Sequence, residues 1–249
     1  MGLDQIPAKL RSKYSIDERE NATAILAADF PVQFQDILDC LEAFALKKSY
    51  IVEKGGSKSP VSIAIDGFLQ GTDSVLRQLE QGKNDESEEP SEKLLSRSKK
   101  KGPIRPPIPP IGDPAGRGWK EKKFDIDIFI DKADDPIPVP THKIDNYKRI
   151  EGELRGIGLE VEWNNKDPFF DRDLNNFRLL RAMGVLSVGV IVTRCTELQS
   201  LFNKLGKGKS YGNSTTHLEK LIPKVDSGAA GGCPLLIIGM GLACYDENS

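Results

Sequence analysis

Residues 158–192 read Gly158-Leu159-Glu160-Val161-Glu162-Trp163, then NNKDPFF, then Asp171–Met183 (DRDLNNFRLLRAM), then Gly184 and Val185–Val192 (VLSVGVIV). The first segment alternates apolar and acidic residues, as a half-buried strand does. Asp171–Met183 places Leu174, Phe177, Leu180 and Met183 on one helical stripe. The last segment is almost wholly apolar and suits a central strand covered on both faces. Strand, helix, strand in that order implies a crossover within one sheet. Downstream, Pro234–Met240 (PLLIIGM) adds a buried strand after a helix around Thr216–Leu221. Upstream, Phe124–Ile130 (FDIDIFI) alternates at its start and reads as a further strand. Earlier still, Asp29–Lys48 sets Phe34, Ile37, Leu38, Leu41, Phe44 and Ala45 at helical spacing behind Pro31, and a second helix is expected from Ile63 to Leu79. The class is α/β, a mixed central sheet flanked by helices.

The chain has 249 residues, with 35 Lys+Arg against 37 Asp+Glu and a net charge of −2. That length supports one large domain or two small ones, and one domain is expected over 1–249. It divides into a helical N-terminal part (1–80), a low-complexity insertion (81–118) that turns from acidic to basic to Pro- and Gly-rich, and a core (119–249). The insertion holds too few apolar residues to offset the entropy of ordering it, and reads as a flexible surface loop. Its Pro-rich part also fits a polyproline ligand.

Several function classes drop out. The apolar runs are far short of the ~20 residues a membrane-spanning helix needs. The N-terminus has no secretory h-region, which makes the cytoplasm the expected compartment. Cys40, Cys195, Cys233 and Cys244 are scattered without a CxxC pair and read as buried free thiols. His142 and His217 have no nucleophile elbow beside them, and no Walker or GxGxxG loop is present. Gly228, Gly231 and Gly232 precede a strand and read as a turn. The near-zero charge argues against nonspecific coating of nucleic acid, but leaves room for a DNA-reading cleft.

Acidic residues carry the chemistry. Glu160 and Glu162 project from one face of their strand, about 6.5–7 Å apart along it. Such a pair is tolerable on a solvated edge, or stabilised by a divalent cation reached through hard oxygen ligands. Asp145 stands fifteen residues before Glu160. Asn164, Asn165 and Lys166 follow the strand, in types that suit base edges and phosphates but equally suit a turn. Asp125, Asp127 and Asp131 form either a rival metal site or a polar sheet face.

An Asp near a strand end, a connection, and a strand of form Glu-x-(Lys, Glu or Gln) is the layout of the PD-(D/E)xK nucleases. Three blocks, Ile144–Lys148 with Gly158–Glu162, Asn176–Thr193, and Lys209–Tyr211 with His217–Leu221 and Pro234–Gly239, resemble the type II restriction endonucleases of the BamHI/BglII/BstYI group. A weaker match is Gly118–Lys122. The resemblance implies that Asp145, Glu160 and the Val161 carbonyl hold Mg²⁺ beside the scissile phosphate. Glu162 stands where the wider superfamily has Lys and some members of the group have Gln, so it is either the base or a further ligand. Glu121 is the match for an additional acidic residue, or an exposed Glu among lysines. DNA contact is implied for Asn164, Asn165 and Lys166, and for the loop 206–214 through Lys207, Lys209, Asn213 and Ser214.

The expected activity is Mg²⁺-dependent hydrolysis of both strands of a short palindromic duplex site, GATC-centred as in these relatives, leaving 5′-phosphate ends. Two identical active sites are the direct way to cut a palindrome, so a homodimer is expected. A cognate DNA methyltransferase acting on the same site is the expected partner in the cell. The alternatives are a catalytically silent DNA-binding protein on the same fold and a structure-selective repair or junction nuclease.

Overall fold

The strand–helix–strand unit forms the centre of the sheet in the computed structural model, which describes residues 2–53, 58–85, 114–132 and 135–247. The N-terminal part comprises α1 (Ala8–Lys13), β1 (Tyr14–Arg19), α2 (Ala22–Asp29), α3 (Pro31–Ala43), β2 (Leu46–Lys47), α4 (Lys48–Val52), α5 (Pro60–Gln70) and α6 (Thr72–Asp85). Then follow β3 (Lys120–Lys122), β4 (Ile126–Ile128), β5 (Ile137–Val139), β6 (Ile144–Arg149), β7 (Gly156–Glu162), α7 (Pro168–Ala182) and β8 (Leu186–Arg194). The chain finishes with α8 (Leu198–Lys204), α9 (Leu218–Asp226), β9 (Leu235–Met240) and β10 (Tyr245–Asp246). The main sheet has six strands in the order β1-β9-β8-β7-β6-β3. β7, β8 and β9 run parallel, while β1, β6 and β3 are antiparallel to their neighbours. The mixed α/β sheet expected from the sequence is therefore present.

Alternation along β7 divides its side chains between two cores. Leu159, Val161 and Trp163 join Val188, Val190 and Val192 against the N-terminal helices. On the opposite face, Ile191 and Ile237 pack with Phe170, Leu174, Phe177 and Leu180 of α7 and Leu221 of α9. Helices on both faces leave β8 and β9 wholly buried, which is why they read as continuous apolar runs. Gly228, Gly231 and Gly232 take positive φ in the turn before β9, as read from the sequence. The four cysteines are free and buried.

Five expectations need correction. The helix expected over Asp29–Lys48 is α3 alone, because Phe44 turns to extended φ/ψ while keeping its ring in the core, and Asp29 belongs to α2. The helix expected over Ile63–Leu79 is two helices, broken at Gly71. There φ is +91°, and a Cβ would stand 2.4 Å from the Pro114 carbonyl oxygen, so only glycine lets residues 114–116 cross so closely. The strand expected over Phe124–Ile130 shrinks to β4, which pairs with β5 in a separate two-stranded sheet. The place beside β6 is taken by β3; Asp125, Asp127 and Asp131 are exposed on this outlying hairpin. Met183 is 56% exposed, because it caps α7 past the last turn that lies over the sheet. The ends of the segment read as a flexible insertion are ordered: α6 runs to Asp85, and the amides of Arg117 and Trp119 donate to the Leu69 carbonyl. Residues 86–113 of that segment lie outside the described residues.

Candidate active site

The β6–β7 ladder ends at the pair Asn146 and Leu159. One step further brings Asp145 opposite Glu160, where the strands no longer exchange ladder bonds. Each carboxylate instead grips the other strand's backbone. The Asp145 amide donates to Glu160 Oε2 at 3.2 Å, and the Val161 amide donates to Asp145 Oδ2 at 3.3 Å. In a strand the N–H and C=O of one residue share an edge. The Val161 carbonyl therefore faces the same gap as its amide, and Val161 lines the cleft that opens there.

Glu162 lies one pleat further along the same face. Its Oε2 accepts from Asn165 Nδ2 at 2.8 Å, and its Oε1 lies 3.4 Å from Arg172 Nη2. Below it, Asp173 of α7 is fully buried and takes a 2.8 Å bond from Arg172 Nε. The Arg172 guanidinium also covers the Phe169 ring at 4.3 Å. From the other layer, Asp66 of α5 is buried beside Asn146, whose Nδ2 donates to it at 2.7 Å, and Lys58 Nζ lies 2.9 Å from its other oxygen. The cleft has a volume of about 570 Å³ and is walled by Lys58, Asp145, Val161, Glu162, Arg172 and Lys207 among others.

Crowding so many acids raises their proton affinity. Burial, then Asp145 and Asp173, holds Glu160 well above the usual carboxylate range. Burial and Asp173 push Glu162 up to about 9, and burial raises Asp66 to about 6 against the pull of Lys58. Asp145 and Asp173 are also raised by burial. Among the described residues, no three His, Cys, Asp or Glu side chains stand arranged to hold a metal ion. The donor chemistry nevertheless fits a hard divalent cation. The buried oxygens Glu160 Oε1 and Asp173 Oδ2 have no hydrogen-bond partner among the described residues, and the surplus negative charge is what such an ion would offset.

Of the residues singled out from the sequence, Asp145, Glu160, Val161 and Glu162 converge. Asn164 and Asn165 line the cleft, with the Asn164 Oδ1 buried and without a hydrogen-bond partner among the described residues. The Thr216 amide donates to the Asn165 carbonyl and the Asn165 amide donates to Thr216 Oγ1, and Lys166, which is exposed, bridges Thr215. Lys207 reaches the cleft wall, whereas Lys209, Asn213 and Ser214 are exposed on the neighbouring loop. That loop is pinned rather than slack. Arg194, buried at the end of β8, donates to the Gly212 carbonyl at 3.4 Å and to Thr215 Oγ1 at 2.9 Å. Glu121 sits half-buried on the edge strand β3, 2.9 Å from Lys143 and 3.8 Å from Lys58.

Asp66, Lys58, Asp173 and Arg172 were not found from the sequence. A signal existed for two of them. Asp173 lies on the apolar stripe of α7 between Phe170 and Phe177, and Asp66 is the sole charge in α5, a helix buried on all sides. A lone carboxylate at a core position must be paired or functional.

A mixed sheet with helices on both faces, opening at the end of its β6–β7 ladder into an acid-lined cleft, is a restriction-endonuclease-like fold. The comparison of sequences then narrows the class. A family model for the restriction endonucleases BglII/BglIII matches residues 14–99 and 115–240, and the chain belongs to that family. It is a type II site-specific deoxyribonuclease, a hydrolase whose substrate is DNA. The unmatched stretch 100–114 falls inside the low-complexity segment. A search of curated proteins returned no match. Among the described residues no helix is long and apolar enough to cross a membrane.

Proposed function

We propose that the chain cuts both strands of a short palindromic duplex with Mg²⁺ held by Asp145, Glu160 and the Val161 carbonyl. The observation that carries this reading is the paired grip of Asp145 and Glu160 where their strands part, with Glu160 Oε1 buried beside it and without a hydrogen-bond partner among the described residues. When bound, the ion lowers the pKa of water and offsets charge developing on the phosphoryl oxygens. The chain's own residues do the rest. Glu162, fixed by Asn165 and Arg172 and open to the cleft, accepts a proton from the attacking water in its ionised form, which the positive charge of a bound divalent cation would favour against the burial that raises its proton affinity. The water oxygen bonds to phosphorus, the bond to the 3′-oxygen breaks, and that oxygen takes a proton from solvent. The products carry 5′-phosphate and 3′-hydroxyl ends.

Lys166, Lys207 and Lys209 meet phosphates, while Asn164, Asn213 and Ser214 face base edges. Asn165 has its amide committed to Glu162, so its part is to orient that carboxylate. Glu121, already paired with Lys143, shapes the electrostatics of the edge without touching the phosphate. A homodimer places two such sites on the two strands, and a methyltransferase of the same specificity, for a GATC-centred site, protects the host DNA.

The test is digestion of unmethylated phage DNA with Mg²⁺ by the intact chain and by Asp145→Ala and Glu160→Ala. Discrete fragments are expected from the intact chain, with rates reduced at least ~10²-fold in both variants. Sequencing the ends gives the site and stagger, and sedimentation gives the assembly. A folded intact chain that shifts duplex DNA but cuts nothing with Mg²⁺ or Mn²⁺ refutes the catalytic reading in favour of a silent DNA-binding protein.

A further inference from the structure

Catalysis at this cleft faces an electrostatic problem that its acids cannot solve. A phosphodiester carries negative charge and must approach Asp145 and Glu162, with Glu160, Asp173 and Asp66 close behind. Among the described residues two cations are paired with these acids. Arg172 is committed, bridging Glu162 and Asp173 while stacked on Phe169.

Lys58 differs. It precedes α5, whose first turn is capped by Ser59 Oγ accepting from the Ser62 amide at 3.0 Å, so the stem of Lys58 leaves an ordered helix start. Its Nζ makes one hydrogen bond among the described residues, to Asp66 Oδ2 at 2.9 Å; Glu121 at 3.8 Å is beyond hydrogen-bond reach. An ammonium has three donors, so two remain for a group entering from the cleft that Lys58 lines, and the side chain is 20% exposed. Burial alone would lower its pKa, but Asp66, Asp145 and Glu121 outweigh burial and keep it charged. Glu162 occupies the strand position that could otherwise have carried a cation; the ammonium arrives instead from the helical layer across the cleft.

We propose that Lys58 is a catalytic residue that contacts the scissile phosphate, held in place by Asp66. This rests on the nuclease reading above. Asp66, buried behind the ammonium and tied to Asn146 of β6, is the positioning residue that aims it. A purely structural Lys58–Asp66 ion pair would account for the 2.9 Å contact but leaves unused the two remaining donors of an ammonium whose side chain lines the cleft.

The experiment pairs the side-chain charge with the phosphate charge. Once the cut position is mapped, duplexes are made with a phosphodiester or a neutral methylphosphonate at the scissile link. Binding is measured in Ca²⁺ for wild type, Lys58→Met and Lys58→Arg. Neutralising the phosphate is expected to weaken wild type about tenfold, Lys58→Arg several-fold, and Lys58→Met less than about twofold. Single-turnover cleavage in Mg²⁺ is expected to fall about 10²-fold or more in Lys58→Met with partial rescue in Lys58→Arg. If removing the partner of buried Asp66 prevents Lys58→Met from folding, the double variant Lys58→Met/Asp66→Asn takes its place in the binding comparison with the same expectation. An equal loss from the methylphosphonate in wild type and the uncharged variants overturns the assignment of Lys58 alone. A wild type that cuts nothing overturns the nuclease reading beneath it.

Discussion

Replacing Gly189 with alanine probes the packing that holds α7, the helix beside the candidate active site, against the sheet. A Cβ at Gly189 would lie 2.4 Å from Phe177 Cδ2, 2.6 Å from Cε2 and 2.9 Å from Leu235 Cδ2. Carbon atoms rest at about 3.5–4.0 Å, so the ring must retreat by about 1 Å. Phe177 is fully buried, so its retreat must displace neighbouring core side chains of a close-packed interior. Overpacking of this kind costs about 1–3 kcal/mol, against which relief of glycine's backbone entropy returns roughly 0.5–1 kcal/mol. A net loss of about 1–2 kcal/mol is expected, read as a lower urea midpoint at unchanged m. Because α7 also carries Arg172 and Asp173, cleavage is expected to fall at least several-fold. The cause is isolated by adding Phe177→Leu. If the methyl group and the ring collide, the double variant loses at least ~1 kcal/mol less than the sum of the single losses. Additive losses, or a Gly189→Ala chain as stable as wild type, refute the reasoning.

Three further outcomes follow from the same geometry. Asp173→Asn removes a buried carboxyl that repels Glu160 and Glu162 while keeping its shape; the metal-free chain is expected to melt at a higher temperature, and cleavage to decline, so a lower melting temperature would show that the Arg172 pair outweighs the repulsion. Arg194→Met withdraws the donors that pin the loop at Gly212 and Thr215; hydrogen exchange in residues 206–215 is expected to quicken and discrimination between cognate and near-cognate duplexes to drop, and unchanged exchange would rule out the anchoring role. Burial pushes Cys195 and Cys233 up to about 12 and Cys244 to about 11, and raises Cys40 as well; a thiol reagent is therefore expected to titrate no cysteine rapidly in the native chain and four in denaturant, and a fast native thiol would contradict the buried placement.

What could be read locally was decided by the sequence itself. The alternation of Gly158–Trp163, the stripe of α7 and the apolar run of β8 are properties of neighbouring residues, and they led to the parallel unit at the centre of the sheet. Asp145, Glu160 and Glu162 were legible because strand geometry places alternate residues on one face, and because the blocks around them resemble a known family. The alternating pattern of Phe124–Ile130 carried no information about partners, so only the assembled sheet decided that β3, and not this segment, lies beside β6. The same holds for the second half of the site. Lys58, backed by buried Asp66, reaches the cleft from the helical layer on one face of the sheet, and Arg172, backed by buried Asp173, from the layer on the other. No sequence spacing encodes that meeting, since it depends on which helix covers which face. Burial supplies the remaining part: the proton affinities of the acids and the commitment of each cation arise from the loss of solvent around them, which exists only once both layers have closed on the sheet.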